Sequence, residues 1–312
     1  MPWKNGYTIS DEATLPDAEV RWPEGKSCCV RVVVDLGFAT SAEGLSIKDL
    51  TTSDAVFAMG EGLDLLTALL ARHAIHATFA IPAMLAALYP ARIQALQAMG
   101  HEIAANGLRQ EDVSKLTADE ERRRLDATTK MLSDITGQRP AGWFGMPRVS
   151  DSFAVGSISE ATIDLLIDAG YSYFGNGLAD DIPHYWVTDF SSRRALLALP
   201  HYYHCNDQYF IMYPRKGSGL ENPDVLLRNW RWEFDAQYAR GRHFEMTIHP
   251  ESSGWGHRLN GMDRFLQYVR AKPGVWTATS SECAEHWIRT FPAASSLRLT
   301  PSVWQDHAGS MS

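Results

Sequence analysis

Cys29-Val30-Arg31-Val32-Val33-Val34-Asp35, followed by Leu36 and Gly37, is the stretch from which the fold is read. A short, valine-rich run closed by a turn residue reads as a buried strand. Its C-terminal end delivers one acid, Asp35. Outward from it, strand and helix signals alternate. Leu63, Leu65, Leu66, Leu69 and Leu70 recur at helical spacing and predict an amphipathic helix over roughly 57–72. A strand is expected over 76–81, a helix near 83–98, and a strand over 101–105 just before Asn106-Gly107. Thr117-Ala118-Asp119-Glu120 reads as a capping box, in which hydroxyl and carboxylate satisfy each other's unpaired N–H groups; its helix should stop at Gly137. Ser157-Ile158-Ser159-Glu160 reads as a second box, opening a helix that carries Ile163, Leu165, Leu166 and Ile167 and ends at Gly170. Further strands are expected at 171–174, 194–199, 243–249 and 275–278, and helices at about 223–239, 261–271 and 282–290.

Such alternation predicts an α/β protein with parallel strands and crossover helices, and about seven or eight repeats of it favour a closed (β/α) barrel over an open sheet. The barrel should span 28–291 as one domain, with an N-terminal arm over 1–27 and a C-terminal tail over 292–312. The arm is polar, contains Pro16 and Pro23, and reads as wrapping the domain or a partner subunit.

Composition narrows the class. The 312 residues are 45% apolar and 21% charged, which is globular and long enough to bury a core without disulfides or a structural metal. Lys+Arg 29 against Asp+Glu 37 leaves −8, so no global basic field draws in nucleic acid or an anionic membrane. Cys28, Cys29, Cys205 and Cys283 contain no C-x-x-C pair, so neither a zinc ribbon nor a disulfide framework is read, and a reduced, cytoplasmic chain is expected. The start, Met1 to Gly6, lacks the apolar stretch of a secretory signal. The longest apolar passage, 77–88, is broken by Pro82 and is far short of the ~20 residues that a membrane span needs.

In a parallel barrel the working residues stand at the C-terminal ends of strands. That rule selects Asp35, Asn106 with Gln110, Trp143 with Arg148, His201 with His204, and His249. Each taken alone has an ordinary structural explanation: a cap, a loop hydrogen bond, a packed ring. Their shared place at one mouth favours a site. Trp143, Phe144, Tyr202, Tyr203 and Trp255 on the same loops favour a small, flat substrate.

Gly100-His101-Glu102-Ile103-Ala104-Ala105-Asn106-Gly107-Leu108-Arg109-Gln110-Glu111-Asp112 resembles the GHEIA-x-H-G-x-x-H-E-D segment of the polysaccharide deacetylase (NodB-homology) superfamily. Val33-Val34-Asp35, Ala77-Thr78-Phe79, Gly137-Gln138-Arg139-Pro140-Ala141-Gly142-Trp143, Asp180-Asp181-Ile182-Pro183 and Thr247-Ile248-His249-Pro250 resemble its other motifs, in the family's order, over roughly 28–285. The branch resembled is the intracellular one of allantoinase-like and cyclic imide hydrolases, whose members often form homo-oligomers; a dimer or tetramer is expected. The resemblance implies a distorted (β/α)7-8 barrel of the polysaccharide deacetylase type. In metal-dependent members an Asp and two His hold a divalent ion. Those His positions fall on Asn106 and Gln110, the second strand-1 acid on Leu36, and a motif Arg on Phe144.

Neutral amides are poor zinc ligands, so neither a metal nor another cofactor is expected in this pocket. The resemblance then implies Asp35 as base and His249 as acid. Asn106 and Gln110 would hold a carbonyl oxygen through their amide N–H groups. Trp143, Phe144, Arg148, His204 and Trp255 would complete the substrate pocket. The reaction expected is metal-independent opening of an activated C–N bond in a small cyclic imide-like or ureide-like ring. Three alternatives stay open: a lyase, isomerase or decarboxylase acting on a small carbonyl compound in the same pocket; an inactive small-molecule binding protein; and a metal-dependent deacetylase using His201, His204 or Asp207.

Overall fold

The valine-rich run is the centre of a sheet in the computed structural model, which describes residues 15–145, 158–177, 180–189, 192–208 and 222–297. The strands are β1 (Cys28–Asp35), β2 (Thr78–Ile81), β3 (Glu102–Ala105), β4 (Gly142–Trp143), β5 (Tyr173–Gly177), β6 (His184–Asp189), β7 (Arg194–Pro200), β8 (His243–Ile248) and β9 (Val275–Ala278). Their order is β6-β7-β5-β4-β3-β2-β1-β8, with β9 against β1. One edge of β1 carries β8; the other carries β9 along its first half and β2 along its second. All these pairings are parallel except β6 with β7.

Side chains alternate across a strand, and β1 divides accordingly. Val30, Val32 and Val34 join Leu63, Leu66 and Leu70 in the core beneath the helices. Cys29 and Val33 join Ala80, Ala104, Tyr173, Leu197 and Leu199 in a second core inside the curved sheet. The interior is polar at mid-height. Arg31, fully buried, donates to His243 Nε2, Ser280 Oγ and the Pro200 carbonyl. Glu102 accepts from Thr78, Tyr173 and the Ser281 N–H.

The α/β class and its alternation are as expected, but the barrel keeps a seam. The antiparallel strand β6 occupies the edge of β7 that closure would require, so among the described residues no ladder joins β7 to β8. Side chains bridge instead, through Arg31 to Pro200 and the Tyr202 hydroxyl to the His243 carbonyl at 2.7 Å.

Several local expectations are corrected. The helix near 83–98 is two, Ala83–Leu88 and Pro90–Ala98, because Pro90 lacks an N–H and starts a new first turn. The helix expected over 57–72 kinks at Gly60 and runs regularly only over Leu63–Arg72. Thr117 caps the Glu120 N–H, but the Glu120 carboxylate turns to Arg123 and Arg124, leaving half a box; Gly137 ends that helix at φ 72° as anticipated. Ser157 lies outside the described residues, and the following helix begins only at Thr162. Residues 15–27 wrap their own domain: Trp22 packs on Trp276, His286 and Trp287 and donates to the Gly241 carbonyl. Among the described residues no helix is long and apolar enough to cross a membrane.

Candidate active site

β1 and β8 run side by side, with Val34 opposite Ile248, so their C-terminal ends emerge together. Asp35 ends the first strand and His249 follows the second, each on the interior-facing parity. His249 Nε2 stands 3.8 Å from Asp35 Oδ2, too far for a hydrogen bond and close enough for charge to matter. The Asp35 side chain is 19% exposed, which leaves it within reach of a ligand. Its Oδ1 accepts from the Gly37 N–H at 2.7 Å and from Asn106 Nδ2 at 3.0 Å.

Behind His249 lies a second carboxylate. Asp207, fully buried, takes His249 Nδ1–H at 2.7 Å on one oxygen. Its other oxygen accepts the His249 backbone N–H at 2.9 Å and the Ser253 hydroxyl at 2.5 Å. Asp207 thus fixes the ring's tautomer and aims Nε2 at Asp35. Burial alone would depress the imidazole, but the charge and hydrogen bond of Asp207, then Glu251 and Asp35, push it up to about 9. Burial raises the Asp35 carboxyl above the ordinary carboxylate range, against the opposing pull of His249, the Gly37 N–H, His201 and Asn106. Glu251, on the turn after His249, is pushed up to about 7 by burial and accepts from Gln208.

A second imidazole belongs to the same cluster. His201, the residue after β7, has Nδ1 3.2 Å from Thr247 Oγ1 and 3.4 Å from Glu245 Oε2. Burial would raise the Glu245 carboxyl, but His201 and Arg31 hold it below its usual value. Asp35 therefore lies in the field of two histidines, each backed by a carboxylate.

The two amides do not behave alike. Asn106 is buried, and its Nδ2 is committed to Asp35, so it orients the acid instead of standing free for a carbonyl oxygen. Gln110 adopts a left-handed backbone at φ 59°, and its Oε1 accepts from the Ala39 N–H at 2.9 Å. That bond lays Nε2 over Gly37, where a β-carbon would collide with the amide. Gln110 Nε2 is the donor left for a ligand at the end of β1.

The remaining candidates divide. Phe144 turns into the interior, edge-on to Tyr173 and over Gly175. Trp143, one residue earlier, faces the helix layer and packs edge-on against Tyr171, as strand alternation requires; it does not line the interior. His204 turns away to Glu233 at 3.0 Å, so His201 is the member of that pair at the cluster. Trp255 is 43% exposed and stacks on Phe57 at 3.9 Å, on the loop after β8. Arg148 lies outside the described residues.

The donors at the end of β1 do not suit a tightly held divalent ion. Leu36 is buried in the helix-side core, Asn106 presents its nitrogen to Asp35, and the Gln110 oxygen is taken by Ala39. Asp35 is left as the single carboxylate of the set, and among the described residues His249 and His201 do not gather with it into a group of three donors within 4.8 Å, as a zinc site would need.

The polysaccharide deacetylase family model matches residues 57–174. A Helicobacter pylori peptidoglycan deacetylase is 23% identical over 266 residues, covering 77% of this chain and 88% of that protein. Residues 57–174 carry a polysaccharide deacetylase domain. Among solved structures, a Mycobacterium smegmatis protein designated a polysaccharide deacetylase superposes with a TM-score of 0.77 at 26% identity, covering 92% of this chain and 98% of that one. The PuuE allantoinase superposes with a TM-score of 0.76 at 22% identity, covering 94% and 99%. The deacetylase-type barrel accounts for the strand ends that carry Asp35, Asn106 and His249. Asp207 gave no signal of a supporting role, because the sequence after β7 has no periodicity that places it; the signal available was an acid embedded among aromatic residues.

Proposed function

We propose that this polysaccharide deacetylase domain opens an activated C–N bond in a small cyclic imide-like or ureide-like ring without a catalytic metal. The family matched is one of deacetylases, which are C–N hydrolases, and the PuuE allantoinase shares the fold. The finer reading rests on one observation, the line Asp207–His249–Asp35 with amides where a divalent ion would need anionic or imidazole donors.

Asp35 takes a proton from water, and the hydroxide adds to a ring carbonyl. Gln110 Nε2 donates to the oxygen as it becomes an oxyanion. His249, held protonated by Asp207, gives its Nε2 proton to the ring nitrogen as the C–N bond breaks. The product carries one carboxylate oxygen from solvent, and Asp35 returns its proton to His249. Neutral donors stabilise an oxyanion less than a divalent ion does, so the leaving nitrogen must already be a good one. A nitrogen flanked by a second carbonyl meets that need; a simple acetamide does not. Phe144 and the Trp255–Phe57 stack supply flat apolar surface for such a ring.

The test is a panel of cyclic imides, hydantoin-like ureides, lactones and N-acetyl sugars, incubated with enzyme in ¹⁸O water and read by mass spectrometry. Ring-opened imide or ureide gaining one solvent oxygen, with N-acetyl sugars untouched, is the result expected. Hydrogen exchange or CO₂ loss alone would replace this reading with lyase or isomerase chemistry. Tight binding with no turnover anywhere would make the chain a binding protein.

A further inference from the structure

Outside the candidate active site, the described residues hold one cluster of potential metal ligands. Cys29, His243 and Cys283 bring two sulfurs and an imidazole nitrogen within 4.8 Å of one another. All three are fully buried, and all four cysteines of the chain are free thiols. Cys29 and His243 are register partners at the N-terminal ends of β1 and β8, and Cys283 comes from the helix Ser280–Thr290 that follows β9. Asp35 lies six residues along β1 from Cys29, ~20 Å at ~3.3 Å per residue, so the cluster lies at the opposite end of the sheet from the proposed chemistry.

The surroundings select the ion. Arg31 donates through Nε to His243 Nε2 at 2.7 Å, so the neutral ring carries its proton on Nδ1. That Nδ1 is buried and has no hydrogen-bond partner among the described residues. With Nε2 taken by Arg31, Nδ1 is the ring nitrogen left to meet a thiolate formed in the cluster. Nearby oxygens are committed elsewhere: Ser280 Oγ to Arg31, and the Glu102 carboxylate to Thr78, Tyr173 and the Ser281 N–H. Among the described residues no fourth His, Cys or carboxylate joins them to make the four-protein-ligand tetrahedron of a structural zinc site. A cuprous ion is soft, is selected by thiolates, and accepts two donors. Charge agrees. Two thiolates and one Cu⁺ leave −1, and the buried Arg31 guanidinium supplies +1. The two buried carboxylates nearby are engaged by other donors, Glu245 by Thr247, the Tyr202 N–H and His201, and Glu102 by Thr78, Tyr173 and the Ser281 N–H.

We propose that Cys29 and Cys283 bind one cuprous ion at the base of the barrel, with His243 donating its Nδ1–H to a bound thiolate. Binding releases the two thiol protons and changes no oxidation state. Because the sulfurs are buried, the ion enters as the chain folds and not afterwards.

The full-length chain, reduced and unfolded in guanidinium, is refolded anaerobically with Cu⁺ or Zn²⁺, desalted, and analysed for metal. About one copper per folded chain is expected, resistant to a cuprous chelator until the protein is unfolded, with two sulfur neighbours by X-ray absorption. Cys29→Ala and Cys283→Ala should each lower retained copper to below about a tenth of the wild-type level, while Cys28→Ala, Cys205→Ala and Asp35→Asn retain it. Folded wild-type chain without copper, or full retention by Cys283→Ala, would overturn the assignment. Equal thiol-dependent retention of zinc would overturn the two-donor cuprous site. Should the alanine variants not fold, the sulfur count in the wild-type spectrum decides: two sulfurs support the site and none refutes it.

Discussion

An imidazole placed between two carboxylates is held charged, and His249 has Asp207 on one nitrogen and Asp35 facing the other. The proposed mechanism needs Asp35 ionised and His249 protonated together. Plots of kcat/KM against pH should therefore be bell-shaped. The rising limb follows a carboxyl that burial holds above its ordinary value, and the falling limb lies near the value of about 9 imposed on His249. Asp207→Asn removes the charge that keeps the imidazolium, so the falling limb should move to lower pH, by roughly one to two units. An unmoved limb would take Asp207 out of the proton inventory. Asp35→Asn should cost ~10²–10⁴ in turnover with an unchanged circular dichroism spectrum, and near-full kcat would remove it as the base. Asp35 and His249 were legible in the sequence because each ends a strand, and strand ends are where a parallel barrel exposes polar groups. Asp207 and the choice of His201 over His204 were not, since both depend on how the chain turns after β7, where no periodicity marks the path.

Elements with strong local chemistry were read correctly, and those made by tertiary contact were not. The valine run, the leucine helix and the Gly137 stop follow from propensity and patterning. β4, two residues long, exists because β3 and β5 flank it, and β6 because it pairs antiparallel with β7; neither has a run long enough to announce itself. Two glycines measure the difference. Gly137 sits at φ 72°, and among the described residues nothing comes within 4 Å of the place a β-carbon would take, so Gly137→Ala should cost only the left-handed strain, ~1–2 kcal/mol. Gly142, in β4, faces the Tyr173 ring, and a β-carbon there would fall on the phenol that donates to Glu102. Gly142→Ala should cost at least as much, ~1–3 kcal/mol or more, and should also disturb the buried hydroxyl–carboxylate contact. Urea unfolding of the two variants, with tyrosine absorbance followed in parallel, checks the ordering. Equal costs with an unchanged tyrosine signal would mean that β4 gives way at no penalty.

At the scale of the molecule the sheet carries different tasks at its two ends. The C-terminal end of β1 holds Asp35 among titrating groups, while the N-terminal end is closed by hydrophobic packing. Trp22 supplies much of that closure. It contacts Trp276 beside Cys29, Trp287 and His286, and its indole N–H reaches Gly241 at 2.8 Å. Nothing in the polar stretch around Trp22 gave this away, because a single aromatic anchor has no period to detect. Removing a buried indole typically costs ~3–5 kcal/mol, so Trp22→Ala should lower unfolding stability by about that much. Because the ring lies at the end of the barrel away from Asp35, the folded fraction of that variant should keep its kcat and its pH profile. Asp35→Asn should do the reverse, lowering turnover by ~10²–10⁴ while leaving stability near wild type or raising it, since it removes a carboxylate that burial disfavours. Loss of activity in Trp22→Ala out of proportion to its unfolded fraction, measured at a temperature where the chain is still folded, would mean that the two ends of the sheet are coupled and that the base of the barrel helps to set the geometry of the site.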